Sequence, residues 1–413
     1  MHFKQVEIAE WQQFEKVSIT FHDRLTILTG ENGCGKSTIL NILAKHFGWE
    51  QPLLATPRSE KSTGTIKYFH RFFNGADKSA NNSVGSITYE NGHKALLTIP
   101  QSISASYSLQ ISGQQNIKCF FVPSHRSIFR YQPISSIPTA KKDRSSAFGE
   151  VSKSTRTRYF GGNDQPSSFY MKNTLIGWMI HGYGVQRDGN NVMPPDAEQV
   201  SYFEGFESVL RKILPKSLGF QKLEIRNMEI VFVCNDNRDE FLLETCSGGI
   251  STLIDIAWQI FMFSTKENGE FTVLIDEIEN HLHPTLQRRF LQDLLDAFPH
   301  VRFIVSTHSP LVVGSVKDSY VYALRYNRDR KVESIQLDFK GEPKSAAEIL
   351  NEVLGVSFTM PVWVEEHLIR IAKEYSSRPV TDNFFGDLRQ ELETIGMGKL
   401  LPSVMVRVLE QRT

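Results

Sequence analysis

Cysteine is scarce in this chain: the four in 413 residues, Cys34, Cys119, Cys234 and Cys246, stand far apart with no Cys-x-x-Cys pair. That argues against a disulfide framework and a thiolate zinc site, and suits reduced thiols. An excess of charge is missing too. Lys+Arg and Asp+Glu number 46 each, so net charge announces neither a nucleic-acid nor a membrane partner. No run of 18 apolar residues occurs, and Met1 to Glu7 enters a strand without the apolar core of a signal peptide, so the chain reads as cytoplasmic with no membrane partner. No heptad pattern is sustained and no internal repeat is visible, which removes a long coiled-coil arm. With 40% hydrophobic residues the chain can bury a large core, and its length allows two or three domains or one domain with insertions.

What is present is specific. The run Gly30-Glu31-Asn32-Gly33-Cys34-Gly35-Lys36-Ser37 follows the apolar Leu25–Leu28 and precedes a helical pattern carrying Leu40, Ile42 and Leu43. This is a Walker A loop in strand–loop–helix context. The glycines let successive backbone N–H groups turn toward phosphate oxygens, the helix adds its positive end, and a lysine reaches the terminal phosphates. Asn32, Gly33, Gly35, Lys36, Ser37 and Thr38 are therefore the candidate contacts to ATP, with Ser37 also a candidate Mg²⁺ ligand.

Along the chain, Phe3–Ile8 and Val17–Phe21 read as strands, and a helix is predicted from Lys36 to about Phe47. Residues 51–114 shift to Ser, Asn, Gly, Thr and aromatics with alternating strands at Ser86–Tyr89 and Ala95–Ile99, a β-rich lobe beside the loop. Cys119–Pro123 reads as a buried strand. The polar stretch Ser135–Gln165, with Lys141, Lys142, Arg144, Lys153, Arg156 and Arg158, reads as an exposed basic loop. Helices follow at Phe169–His181 and Glu198–Leu214, the second with Val200, Phe203, Phe206, Val209, Leu210 and Ile213 at helical spacing, a core-packing stripe. Strands at Leu223–Arg226 and Ile230–Cys234 lead onward. The predicted organisation is 1–134 and 223–340 as two halves of one ATPase, 135–222 as a basic and helical insertion, and 341–413 as a helical extension.

The second half carries the rest of the site. Ser247-Gly248-Gly249 opens an apolar helix, a further phosphate-binding arrangement. Phe271–Ile275 is an apolar strand ending in Asp276-Glu277, a Walker B pattern: Asp276 for Mg²⁺, Glu277 to orient or deprotonate the attacking water. The next strand, Val301–Val305, ends in Ser306-Thr307-His308-Ser309-Pro310, putting His308 at the same sheet edge. Glu277 and His308 are the candidate catalytic pair.

Walker A, Ser-Gly-Gly, Walker B and a switch histidine in this order resemble the ATP-binding-cassette (ABC) ATPases of the SMC, RecF and OLD group. The phrases Ile275–Pro284 and Ser306–Pro310 resemble the OLD-like and defence-system AAA ATPases in particular, as does Ala346–Leu350 with Gly355-Val356. The likeness covers Met1–Phe47 and Thr245–Val356 and is loose between them. It implies an α/β, ABC-type P-loop fold with a mixed sheet, a β-rich lobe, a helical insertion and no long coiled coil. It also implies a D-loop at Asn280–Pro284 and two ATP molecules buried in a head-to-tail homodimer, with higher oligomers open. Ser247, Gly248 and Gly249 of one subunit would then complete the phosphate site of the other. Cys246 and Ile250 depart from the Leu and Gln common in cassette signatures. Gln132 is the candidate glutamine-loop residue. Trp11 and Phe14 are candidates to stack on adenine, each with burial as the plainer reading.

OLD nucleases carry a Toprim domain after the ATPase, but no Asp-x-Asp follows Phe358, and neither a Toprim nor an HNH pattern is found. The leading expectation is an ATPase that senses or regulates in a bacterial anti-phage complex. Its effector (HNH, Toprim or other) would be a separate protein, as for the stand-alone ATPases of Septu, PARIS and some retrons. Trp363–Tyr375 and Phe384–Ile395 would be docking, oligomer or simply core helices. The alternatives are a RecF- or SMC-type repair ATPase touching DNA through the basic loop from Lys141 to Arg158, and a non-catalytic scaffold, against which Glu277 and His308 argue.

Overall fold

A computed structural model describes residues 1–59, 66–69, 83–100, 104–126, 128–338, 345–352, 362–379 and 383–410. The chain divides into two compact units, Met1–Ile349 and Leu350–Thr413.

The first unit is built on one mixed sheet. In chain order its strands are β1 (Phe3–Trp11), β2 (Phe14–Thr20), β3 (Leu25–Gly30), β4 (Ser83–Tyr89), β5 (Lys94–Thr98), β6 (Gln110–Ser112), β7 (Cys119–Val122), β8 (Phe271–Ile275), β9 (Val301–Ser306), β10 (Tyr320–Tyr326) and β11 (Val332–Leu337). Their spatial order is β6-β5-β4-β1-β2-β11-β10-β3-β9-β8-β7. From β10 to β7 all neighbours are parallel. Parallel strands covered on both faces read as unbroken apolar runs. All residues of β3, β7 and β8 are accordingly buried. The carboxyl ends of β3, β8 and β9 emerge together, which gathers Gly30, Asp276 and Ser306 at one edge.

The expected β-rich lobe is less separate than the sequence suggests. Strands β4, β5 and β6 extend the same sheet antiparallel from β1. The residues after Lys36 form helix α1 (Lys36–Ala44), closed by a short 3-10 turn at Lys45–Phe47.

The reading of Ser135–Gln165 as a loop is corrected by helix α2 (Arg144–Tyr159). Asp143 caps it, accepting from the Ser146 N–H at 2.7 Å. Ala147, Phe148, Val151, Ser154 and Thr155 are its buried face, at helical spacing. Two of these five are hydroxyl residues, and Ser154 donates to the Gln165 carbonyl at 2.6 Å, so hydropathy alone hides the stripe. Phe148 packs with Phe120 and Phe263 at ring distances of 5.2 and 4.8 Å.

Helices α3 (Ser167–Tyr183), α4 (Ala197–Ile213) and α5 (Gly248–Phe263) follow, with shorter helices at Pro284–Gln287, Phe290–Ala297 and Pro310–Val313, and the predicted stripe of α4 is buried from Phe203 to Ile213. Between α4 and α5, strands Phe220–Arg226, Glu229–Cys234 and Asp239–Leu242 form a separate antiparallel sheet. Its first hairpin turns through Asn227 and Met228, both at positive φ.

In the second unit, helices Val362–Ser377, Phe384–Thr394 and Leu401–Glu410 bury Leu368, Ile371, Tyr375, Leu388, Leu392 and Val404 in a core of their own. Gly355 and Val356 lie outside the described residues. Among the described residues no helix is long and apolar enough to cross a membrane.

Candidate nucleotide site

The loop between β3 and α1 has glycine where neighbouring backbone and rings leave no room. Gly30 (φ +137°) passes so close to β10 that a Cβ would lie 2.2 Å from the Leu324 carbonyl oxygen. Gly35 (φ +96°) would put one 2.3 Å from the Phe14 ring. Left-handed backbone and close approach together require glycine.

Lys36 is buried at the start of α1, and its ammonium donates to the Gly30 and Glu31 carbonyls at 2.9 Å each. It lies 3.3 Å from His308 Nδ1. Burial pulls its pKa below the usual lysine value. Next to it, the Ser37 hydroxyl donates to Asp276 Oδ1 at 3.1 Å, and the Ser306 hydroxyl donates to the same oxygen. Burial raises the pKa of Asp276, against the pull of those two hydroxyls.

Glu277 follows with a left-handed backbone, φ +46°. Its N–H donates to Ser306 Oγ at 2.8 Å, and its carboxylate accepts from Asn280 Nδ2 at 2.7 Å. His308 Nε2 lies 3.9 Å from the other carboxylate oxygen. The backbone N–H of His308 donates to Glu279 Oε1, which fixes the chain at that residue. Burial, then the nearby Lys36 charge, lowers the His308 pKa below the usual histidine value.

Lys36, Ser37, Asp276, Glu277 and His308, drawn from three separate segments, thus form one cluster. Asn32 and Gly33 lie on the exposed rim of the loop, and Thr38 is half-buried in α1. Ser247 caps α5, with its side chain accepting from the Ile250 N–H, and Gly248 and Gly249 form the first turn. Ser247 and Gly248 are exposed, and no hydrogen bond joins them to residues 30–38 among the described residues. Instead Gly249 sits against the His281 carbonyl, so the Ser-Gly-Gly turn borders Asn280–Pro284.

Gln132 is not brought into the cluster. Its carbonyl accepts from Lys172 at 3.1 Å, and the buried Lys172 also pairs with Glu229 and Glu244. Trp11 and Phe14 are fully buried and stacked on each other at 6.1 Å, which leaves neither a face for adenine.

Sequence reasoning missed Arg126. It lies beyond the end of β7, and its guanidinium donates to the Asp276 and Glu277 carbonyls at 2.9 Å each and to that of Asn280 at 3.4 Å. Burial lowers its pKa to about 10. A single arginine in Pro123-Ser124-His125-Arg126, beside a strand now paired with β8, was the available signal.

The basic stretch is largely occupied internally. Lys141 pairs with Asp196 at 2.6 Å, Lys142 with Glu150 at 2.7 Å, Arg144 donates to the Phe261 and Ser264 carbonyls, and Arg158 donates to the Asp164 carbonyl. Lys153 and Arg156 remain exposed.

Comparison with known proteins gives the following matches. A family model described as "AAA domain, putative AbiEii toxin, Type IV TA system" matches residues 25–314. One described as "P-loop containing region of AAA domain" matches residues 3–45. The "Retron Vc95 probable ATPase" of Vibrio cholerae is 23% identical over 91% of this chain and 83% of its own length. The "Septu protein PtuA" of Bacillus thuringiensis is 22% identical over 88% of this chain and 86% of its own. Among solved structures, the SMC head domain from Thermotoga maritima aligns with a TM-score of 0.45 at 15% identity, covering 82% of this chain and all of that one. With that family model spanning residues 25–314 and the phosphate loop inside it, the chain belongs to this AAA-domain family, and it resembles ATPases of retron and Septu systems.

Proposed function

We propose that the chain binds and hydrolyses ATP as a nucleotide-gated switch in an anti-phage complex, and that its ATP state controls a separate effector. The carrying observation is the convergence of Lys36, Asp276, Glu277 and His308 at one sheet edge.

In this reading the loop N–H groups and Lys36 hold the β- and γ-phosphates. The Ser37 hydroxyl and the Asp276 carboxylate, 3.1 Å apart, are the hard oxygen donors that suit Mg²⁺. When bound, that ion supplies charge neutralisation on the phosphates. Glu277 accepts a proton from the attacking water, and His308 contributes a hydrogen bond to the γ-phosphate or to that water. The left-handed φ of Glu277 costs about 1–2 kcal/mol and is held by the Ser306, Asn280 and Arg126 contacts, which suits a carboxylate that must point in one direction.

The exposed Ser247-Gly248-Gly249 turn would reach the phosphate site of a second protomer, so that ATP closes a head-to-tail dimer and hydrolysis releases it. The names of the relatives, a retron ATPase and a Septu protein, support the defence setting. The internal pairing of Lys141, Lys142, Arg144 and Arg158 counts against the DNA-clamp alternative.

Single-turnover hydrolysis tests the assignment. Glu277→Gln is expected to retain ATP binding and lose roughly 10²–10⁴-fold in rate, the range for a positioned general base. Unchanged hydrolysis in that variant would remove Glu277 from the mechanism.

A further inference from the structure

A cleft of about 680 Å³ lies between the chain after α1, the segment after β7 and the C-terminal end of α2. None of residues 30–38 lines it. His125, Arg126, Arg130 and Arg158 do, and no carboxylate does, in a chain whose total charge is balanced. Arg130 is exposed with no hydrogen bond or ion pair among the described residues, and Arg158 commits one nitrogen to the Asp164 carbonyl. The Nε of Arg126 is buried without a partner.

Arg126 is already engaged by the Asp276, Glu277 and Asn280 carbonyls, so the free groups are the Arg130 guanidinium and the remaining nitrogens of Arg158, and these favour an anion whose oxygens match their planar fork, which phosphate does. The same cleft exposes apolar and aromatic surface. Phe160 is 46% exposed and Ile128 66% exposed. Trp49 supports the Phe160 ring from behind at 5.8 Å. A ring face beside arginines is the surface on which a base stacks while its phosphate is held, and the volume lies within the 300–1,000 Å³ common for small-ligand sites.

We propose that this cleft is a second nucleotide site, which binds a 5′-phosphorylated nucleoside, either free or at the end of a strand, apart from the ATP held by the phosphate loop. Arg126 connects the two: one side lines the cleft, while its guanidinium holds the carbonyls of Asp276 and Glu277. Gln51, also on the cleft wall, accepts from Asn41 of α1 at 2.8 Å. Occupancy is therefore coupled to the Walker B carboxylates, a coupling that rests on the proposed ATPase function, whereas the binding itself does not.

The test uses the full chain carrying Lys36→Ala, which silences the phosphate loop. Calorimetric titration with thymidine 5′-monophosphate, a 5′-phosphorylated thymidine dinucleotide, its unphosphorylated form and inorganic phosphate separates the sources. Saturable binding of a phosphorylated probe is expected, at least tenfold weaker without its 5′-phosphate and at least tenfold weaker in Arg130→Glu and in Phe160→Ala. Equal affinity for the mononucleotide and the dinucleotide assigns a free nucleotide, and dinucleotide binding alone assigns a strand end. No binding, binding indifferent to both substitutions, or inorganic phosphate binding as tightly would overturn the site. A bound probe that leaves wild-type ATP turnover unchanged would overturn the coupling and leave the site standing.

Discussion

At Gly35 the whole logic of the phosphate loop is visible in one Cβ. Alanine there would place that atom 2.3 Å from the Phe14 ring on a backbone at φ +96°. Gly35→Ala is expected to cost about 1–3 kcal/mol in urea unfolding and to weaken binding of a fluorescent ATP analogue. Wild-type values for both would mean that the loop tolerates a shift of β2. His46 offers a pH signature. Its Nε2 lies 2.8 Å from the Tyr89 hydroxyl and its Nδ1 3.0 Å from the Leu43 carbonyl, and burial lowers its pKa to about 4. The unfolded chain therefore takes up the proton first as pH falls below about 6.5. Stability from this group is complete above that pH and is lost progressively toward pH 4. Between pH 7 and pH 5 it accounts for about 2 kcal/mol. His46→Gln should shrink the pH 7 to pH 5 difference in unfolding free energy by that amount. At this scale Lys36, Ser37, Asp276, Glu277 and His308 meet as their order in the sequence implied, whereas Gln132, Trp11 and Phe14, chosen by residue type without a surrounding motif, lie elsewhere. Arg126 left only a faint signal, one arginine after a buried strand, because its partners are backbone carbonyls that leave no mark in composition.

At the scale of elements, the parallel strands were the easiest to find, since burial on both faces makes β3, β7 and β8 continuous apolar runs. Helix α2 was missed for the opposite reason. Its inward face is built from Ala147, Phe148, Val151, Ser154 and Thr155, and its outward face is dense with lysine, arginine and serine. The one bulky residue of that face carries the packing, so Phe148→Ala should destabilise the first unit by about 3–5 kcal/mol in equilibrium unfolding. A change below 1 kcal/mol would mean that α2 is docked by its polar contacts instead. Strands β4 to β6 show a different limit. Alternation identified β4 and β5 as strands but not the short β6, and only the pairing of β4 with β1 reveals that they extend the sheet that carries the phosphate loop.

For the whole molecule, Met1–Ile349 holds every residue of the candidate site, and Leu350–Thr413 is a helical unit with its own core. The family match over residues 25–314 agrees with that division of labour. Under the proposed switch, what a single chain cannot display in its sequence is the surface that would meet a second copy. Ser247 and Gly248 are exposed at the start of α5, and the role proposed for them would require a protomer that supplies ATP from the other side. The most direct measurement is mass photometry of wild type, Glu277→Gln and Lys36→Ala, each with and without ATP and Mg²⁺. ATP should drive Glu277→Gln from its starting mass to a species twice as heavy, by one 47.1 kDa chain for each chain present. Wild type should show the same species transiently, and Lys36→Ala should not shift. A single mass for all three under every condition, with ATP demonstrably bound, would contradict the nucleotide-gated switch.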